Sequence, residues 1–144
     1  MSGAVREKFS ELGLGKPGSG TLERNIPVET PVAFEFAGFA YAVMMATPED
    51  LEDFAAGFAL SEGIVERVDE LTALDIAEVD GGVIVRAQVP EARAAPLRDR
   101  IRMRVNEGSC GLCGLQGIEE VLRPLLPVAA PQGVTAGSLN RALA

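Results

Sequence analysis

The stretch Val32-Ala33-Phe34-Glu35-Phe36-Ala37-Gly38-Phe39-Ala40-Tyr41-Ala42-Val43-Met44-Met45-Ala46-Thr47-Pro48-Glu49-Asp50-Leu51-Glu52-Asp53-Phe54-Ala55-Ala56-Gly57-Phe58-Ala59-Leu60-Ser61-Glu62-Gly63 carries the signals of three elements in one run. Residues 32–36 and 40–45 read as two strands joined by a short turn at Gly38, and their near-continuous apolarity predicts burial. Residues 47–50 predict a helix start, with Thr47 as hydroxyl cap, Pro48 at the first helical position, and Glu49 and Asp50 at the positive end of the dipole. Leu51, Phe54, Ala55, Phe58 and Ala59 then recur at spacings of three and four, which places them on one buried stripe, and Gly63 supplies a left-handed stop. Two strands followed by a helix with one apolar side set an α/β (α+β) class, a mixed sheet with flanking helices.

Downstream, residues 73–79 and 83–89 alternate on either side of Asp80-Gly81-Gly82, which predicts a hairpin because an Asp-Gly pair supplies positive φ. Pro90 ends the second of these strands. Residues 91–99 suit a short helix, and Ile101-Arg102-Met103-Arg104-Val105 alternates like a strand with one arginine face and one apolar face. Residues 116–122 suit a helix. Pro124, Pro127 and Pro131 mark an irregular connector, and residues 138–144 have the look of a helix that has started and not finished. Upstream, residues 1–20 are polar and carry Gly13, Gly15, Gly18 and Gly20, so the expected organisation is a flexible leader over 1–20 and a folded portion over 21–144.

Composition narrows the chemistry. The 144 residues allow one domain of common size, and 47% hydrophobic with 24% charged residues is a globular rather than a disordered balance. Twenty-one acidic against 13 basic residues give a net charge of -8, which repels nucleic-acid phosphates and anionic lipid. Residues 36–46 are apolar but fall short of the about 20 residues that a spanning helix needs. The first 20 residues lack the apolar core of a secretory signal, so a cytoplasmic address is expected. Histidine is absent, and with it the usual general base, the proton shuttle and the commonest metal ligand. Chemistry is left to thiols, carboxylates, lysine, arginine, hydroxyls and backbone amides.

The two cysteines, Cys110 and Cys113, stand in Ser109-Cys110-Gly111-Leu112-Cys113-Gly114. Two thiols at that spacing can be approached by one sulfur donor, and each can resolve a disulfide or persulfide formed on the other. Gly111 and Gly114 clear side chains from around the sulfurs. A helix beginning after Gly114, and the arginines at 100, 102 and 104, would favour the thiolate without a histidine base. Other readings of the same residues stay open. A C-x-x-C pair is half of a structural zinc site, although the remaining ligands would have to be carboxylates or come from another chain, and it is also the thioredoxin-like redox motif. The arginines have a solvated-surface reading beside that of an anion or persulfide pocket. Glu49, Asp50, Glu52 and Asp53 read as a solvated first turn, and Glu62 as a helix end.

Several segments together resemble the FdhD/NarQ family of formate dehydrogenase accessory sulfurtransferases. These are Glu29-Thr30-Pro31-Val32, the run from Val43 to Phe58 around Thr47-Pro48-Glu49-Asp50-Leu51, Ser61-Glu62-Gly63-Ile64, and the cysteine segment, in that order and spacing. The resemblance covers residues 21–144 and is far more specific than a bare C-x-x-C. It implies a cytoplasmic, homodimeric maturation factor that takes persulfide sulfur from a cysteine desulfurase. The acceptor it implies is the molybdenum or tungsten bis-guanine-dinucleotide cofactor needed for formate dehydrogenase activity. By motif position Cys110 would bear the persulfide and Cys113 would be its partner, with no tightly bound metal and a fold related to cytidine deaminases. Family members run to nearly twice this length, and the cofactor-binding stretch is expected beyond Ala144. The runner-up expectation is a truncated, non-catalytic module that docks formate dehydrogenase or the desulfurase.

Overall fold

A computed structural model describes residues 3–12, 19–103, 112, 115, 117–127 and 133–142. Its contacts divide the chain into two units, residues 1–3 with 28–123, and residues 4–27 with 124–144. In the second, smaller unit, strand β1 (Ala4–Leu12) pairs antiparallel with β2 (Ser19–Pro27), with Ala4 opposite Pro27 and Leu12 opposite Ser19. Residues 4–12 were expected as unstructured leader. Their sequence Ala-Val-Arg-Glu-Lys-Phe-Ser-Glu-Leu is polar enough to hide its alternation, yet Val5 and Phe9 find Ile26 and Leu22 directly across the ladder.

The larger unit is built on a four-stranded sheet in the order β4-β3-β6-β5. Its strands are β3 (Thr30–Phe36), β4 (Phe39–Ala46), β5 (Thr72–Val79) and β6 (Gly82–Gln88). Both local hairpins form as the sequence predicts. Ala37 and Gly38, with φ of 52° and 78°, turn β3 into β4, and Gly81 supplies the positive φ (79°) between β5 and β6. The pairing of β3 with β6 is parallel, Val32 lying opposite Val83 and Phe36 opposite Ala87, so the sheet is mixed.

Helix α1 (Leu51–Ser61) crosses one face of this sheet. Val32, Phe34 and Phe36 of β3, Val83, Val85 and Ala87 of β6, and Leu51, Ala55 and Ala59 of α1 form its dry core. Phe34 is the hub, with ring centroids 4.7 Å from Phe58 and 5.1 Å from Phe54. A register shift at Phe34/Glu35 lets Tyr41 and Ala42, neighbours in sequence, enter the same cluster.

The end of α1 follows the sequence reading and its beginning does not. Gly63 (φ 62°) follows the helix, its N–H donating to the Leu60 carbonyl at 3.0 Å while Ile64 N–H donates to Ala59 at 2.8 Å. These are the paired bonds of a Schellman stop, and buried Ile64 packs behind it. At the start Thr47 is not the cap. Asp50 occupies the cap position in the left-handed region (φ 50°, ψ 39°) without a side-chain capping bond. Residues 47–50 instead make a bend in which Glu49 N–H donates to the Thr47 carbonyl and the Glu49 carboxylate accepts the Gly3 N–H at 2.9 Å. The acid expected to sit on the helix dipole is committed to a distant backbone amide.

Helix α2 (Glu91–Met103) extends the expected short helix by four residues. Ala94 and Leu97 are buried and Ile101 packs against the core cluster, a stripe at i, i+3 and i+7. The strand expected over residues 101–105 is therefore overturned as far as Met103, because the apolar residue that opened the alternation is also the next residue of a helical stripe. The expected helix near residue 118 is the single turn α3 (Ile118–Val121). In the smaller unit α4 (Ala136–Ala142) starts two residues earlier than expected, with Thr135 Oγ1 accepting the Ser138 N–H at 3.1 Å as its cap. Among the described residues no helix is long and apolar enough to cross a membrane.

Candidate functional site

Cys110 and Cys113 lie outside the described residues, as do Gly111, Gly114 and Arg104. The segment that holds them is flanked by described chain on both sides, and each flank is tied to strand β4.

The leading flank is α2, a polar helix held to the body by its arginines. Arg93 Nη2 stands 2.8 Å from a Glu66 carboxylate oxygen and 3.7 Å from Glu70. The Glu70 carboxyl is held below its ordinary range, first because it accepts the Glu66 N–H and also because Arg93 is near, against an opposing effect of desolvation. Arg98 places its guanidinium 5.5 Å from the centroid of the Phe39 ring. In the last turns Arg100 Nη2 donates to the Glu62 carbonyl at 2.7 Å and lies 4.0 Å from the Glu62 carboxylate, which accepts the Tyr41 hydroxyl at 2.8 Å. Tyr41 is 2% exposed, so its hydroxyl requires a partner inside the protein.

The trailing flank returns at Leu115, whose carbonyl accepts the Val43 N–H at 2.8 Å on the outer edge of β4. Ile118 then packs on Ala33 and Val43, with Ile84 and Val121 around it, on the sheet face opposite α1. Gly82 makes room for this: a Cβ there would stand 2.5 Å from the Pro31 carbonyl oxygen and 2.9 Å from Ile118 Cδ1. The two flanks thus belong to opposite faces of the sheet, and both meet β4, one through Tyr41 and the other through Val43.

Of the arginines proposed to lie near the thiols, Arg100 is engaged with Glu62, Arg102 lies in α2 with its side chain outside the described residues, and Arg104 is outside them altogether. A cleft of 80 Å³ lined by Gly63, Ile64, Pro96 and Leu97 with Arg93 and Arg100 is no anion receptor. It has room for only a few waters at about 30 Å³ each. Its two guanidinium groups face the carboxylates of Glu62, Glu66 and Glu70. Among the described residues no group of three or more Cys, Asp or Glu gathers as a metal site; the two cysteines lie outside that search.

Sequence reasoning passed over Tyr41, Glu62 and the Leu115 carbonyl. A lone tyrosine in an apolar strand was the available signal, since a buried phenol needs an acceptor. Nothing in the spacing marks Glu62, 21 residues away, as that acceptor.

A mixed four-stranded sheet with helices on both faces, in which the described chain ends α2 at Met103 and meets the β4 edge again at Leu115, defines the α+β class of this protein. The chain belongs to the FdhD/NarQ family, whose model matches residues 27–143. It is 42% identical over 124 residues to the sulfur carrier protein FdhD of Bordetella petrii, covering 85% of this chain and 45% of that protein. It is 44% identical over 109 residues to the protein of the same name from Agrobacterium fabrum, covering 76% and 40%. A crystal structure assigned to a formate dehydrogenase accessory protein from Desulfotalea psychrophila shares the fold, with a TM-score of 0.50 and 24% identity over 62% of this chain and 37% of that one. The chain spans about 45% of the length of the B. petrii relative.

Proposed function

We propose that this chain is a sulfur carrier of formate dehydrogenase maturation, with Cys110 as the persulfide-bearing thiol and Cys113 as the resolving one. The observation that carries the reading is that Ser109-Cys110-Gly111-Leu112-Cys113-Gly114 falls within the family match over residues 27–143. The Cys110 thiolate attacks the terminal sulfur of a persulfide on a cysteine desulfurase. The sulfur–sulfur bond there breaks, the desulfurase cysteine leaves as thiolate, and the sulfane sulfur stays on Cys110. Attack by the Cys113 thiolate on the Cys110 sulfur then releases hydrosulfide and leaves a Cys110–Cys113 disulfide, so the two electrons come from the thiol pair and a cellular dithiol restores it. The acceptor of the released sulfur is the molybdenum or tungsten bis-guanine-dinucleotide cofactor of formate dehydrogenase, written here as substrate. The work is cytoplasmic and the protein acts as a homodimer.

Mass spectrometry of the chain after incubation with a cysteine desulfurase and cysteine tests this. The expected product carries one added sulfur that disappears on reduction and is absent from Cys110→Ala. Retention of that sulfur in the Cys110→Ala/Cys113→Ala double variant would refute the assignment.

A further inference from the structure

Strand β5 ends the four-stranded sheet on the side away from β4, and among the described residues no strand pairs with its outer edge. The register decides which backbone groups face outward. Val79 opposite Gly82 closes a two-residue turn, so Val79, Ala77 and Asp75 bond to β6 while Ile76 directs its N–H and its carbonyl the other way. The ladder is irregular between Thr72 and Asp75, where Ala73 has φ 48°, and regular from Asp75 to Val79. That regular run contains neither proline nor lysine, the usual guards of an exposed edge. Both of its faces are apolar at the rim. Ile76 lies opposite Val85 and continues the face that α1 covers, Val79 lies on the other face, and each is 37% exposed.

We propose that this edge binds an extended segment of a different protein, added to the four-stranded sheet as a fifth strand and carrying lysine or arginine between apolar residues. Charge selects that occupant. Residues 72–81 hold Asp75, Glu78 and Asp80 and no basic residue. The single arginine of β6, Arg86, is already countered by Glu35 at 2.9 Å and Asp75 at 3.3 Å. A second copy of β5 would bring the same three acids to the ladder and be repelled. A basic segment instead meets opposite charge, while its backbone bonds to Ile76 and its apolar side chains lie beside Ile76 and Val79. Backbone bonds supply the affinity and charge sets the choice of partner. The ladder is short, so the complex is weak, with a dissociation constant on the order of 100 µM.

Fluorescence anisotropy of a labelled Lys-Val-Lys-Val-Lys-Val peptide, titrated with the full chain up to about 1 mM, covers that range. The expected result is saturable binding that weakens as salt rises and is at least about fivefold tighter than that of a Glu-Val-Glu-Val-Glu-Val peptide. Ile76→Pro removes an outward N–H and leaves the β5–β6 bonds in place, so it should weaken binding at least about tenfold. Ile76→Lys keeps the backbone, and should weaken the lysine peptide by at least about fivefold while strengthening the glutamate one. Circular dichroism melts of both variants separate loss of the edge from loss of the fold. Absence of binding up to about 1 mM overturns the proposal, as does binding that neither variant moves. Sedimentation of the chain alone tests the other occupant: self-association that Ile76→Lys abolishes would assign the edge to a second copy and overturn the proposal too. None of these readouts depends on sulfur transfer.

Discussion

Arg100 and Glu62, 38 residues apart, meet through both backbone and side chain: the guanidinium donates to the Glu62 carbonyl at 2.7 Å and lies 4.0 Å from the carboxylate that holds the Tyr41 hydroxyl. This joins the end of α1, strand β4 and the last turns of α2, the helix that leads into the cysteine segment. Arg100→Ala should lower the unfolding free energy by about 1 kcal/mol, the net worth of one such bond, and Tyr41→Phe by a similar amount. Because both act on Glu62, the double variant should lose less than the sum of the two. Urea titration of the set measures this, and full additivity would show that the two contacts are independent. If α2 sets the approach of the thiols, iodoacetamide should alkylate them at a changed rate in Arg100→Ala and nearer the original rate in Arg100→Lys.

Phe34 has the largest expected effect on stability. It is 1% exposed and stacks on Phe58 with Phe54 edge-on, so Phe34→Ala should cost about 3–5 kcal/mol through lost burial and the cavity left behind. Phe34→Leu should cost markedly less. Urea midpoints of both, read beside the parent, check the order.

Gly82 should resist substitution for steric rather than conformational reasons. The Cβ of Gly82→Ala would press on the Pro31 carbonyl within the β3–β6 pairing and on Ile118 above it, with an expected cost of about 1–3 kcal/mol. Gly63→Ala acts differently, placing a side chain at φ 62° in open space, at about 1 kcal/mol. Combining Gly82→Ala with Ile118→Ala should recover part of the first loss, whereas Gly63→Ala with Ile118→Ala should not; thermal melts of the four variants decide between them.

Glu70 gives the larger unit a pH dependence of known sign. Its folded pKa lies below the ordinary 4.5, so its stabilisation is present above that value and fades as pH falls through the lower folded one. Glu70→Gln should therefore be less stable than the parent at pH 7, and the gap should narrow in acid below about pH 4.5. A gap that widens on acidification would contradict the assigned contacts with Glu66 N–H and Arg93.

Much of the larger unit was legible because its signals are local. The β3–β4 turn at Gly38, the β5–β6 turn at Gly81 and the stop at Gly63 each rest on a glycine at positive φ within a few residues of the elements it joins. The stripe from Leu51 to Ala59 likewise needs only its own spacing. The family resemblance was legible in the same way, from ordered short segments.

What local pattern could not fix was decided by distant partners. Ile101 suits the first position of a strand or the last turn of a helical stripe equally well, and only its packing with Leu97 against the core makes it helical. Thr47 is a competent cap until Glu49 is drawn to the Gly3 amide and the helix begins at Leu51. Residues 4–12 are unremarkable alone and become a strand only opposite 19–27. The sequence by itself determined strands β3 to β6, the apolar stripe and stop of α1, the family and the pair of thiols, since propensity, glycine conformation and motif order act over short spans. Tertiary structure alone decided the parallel β3–β6 pairing, the link from Tyr41 through Glu62 to Arg100, and the return of the chain along β4 at Leu115. Hydrogen-bond partners 21 to 72 residues apart leave no periodic trace in the residues that make them.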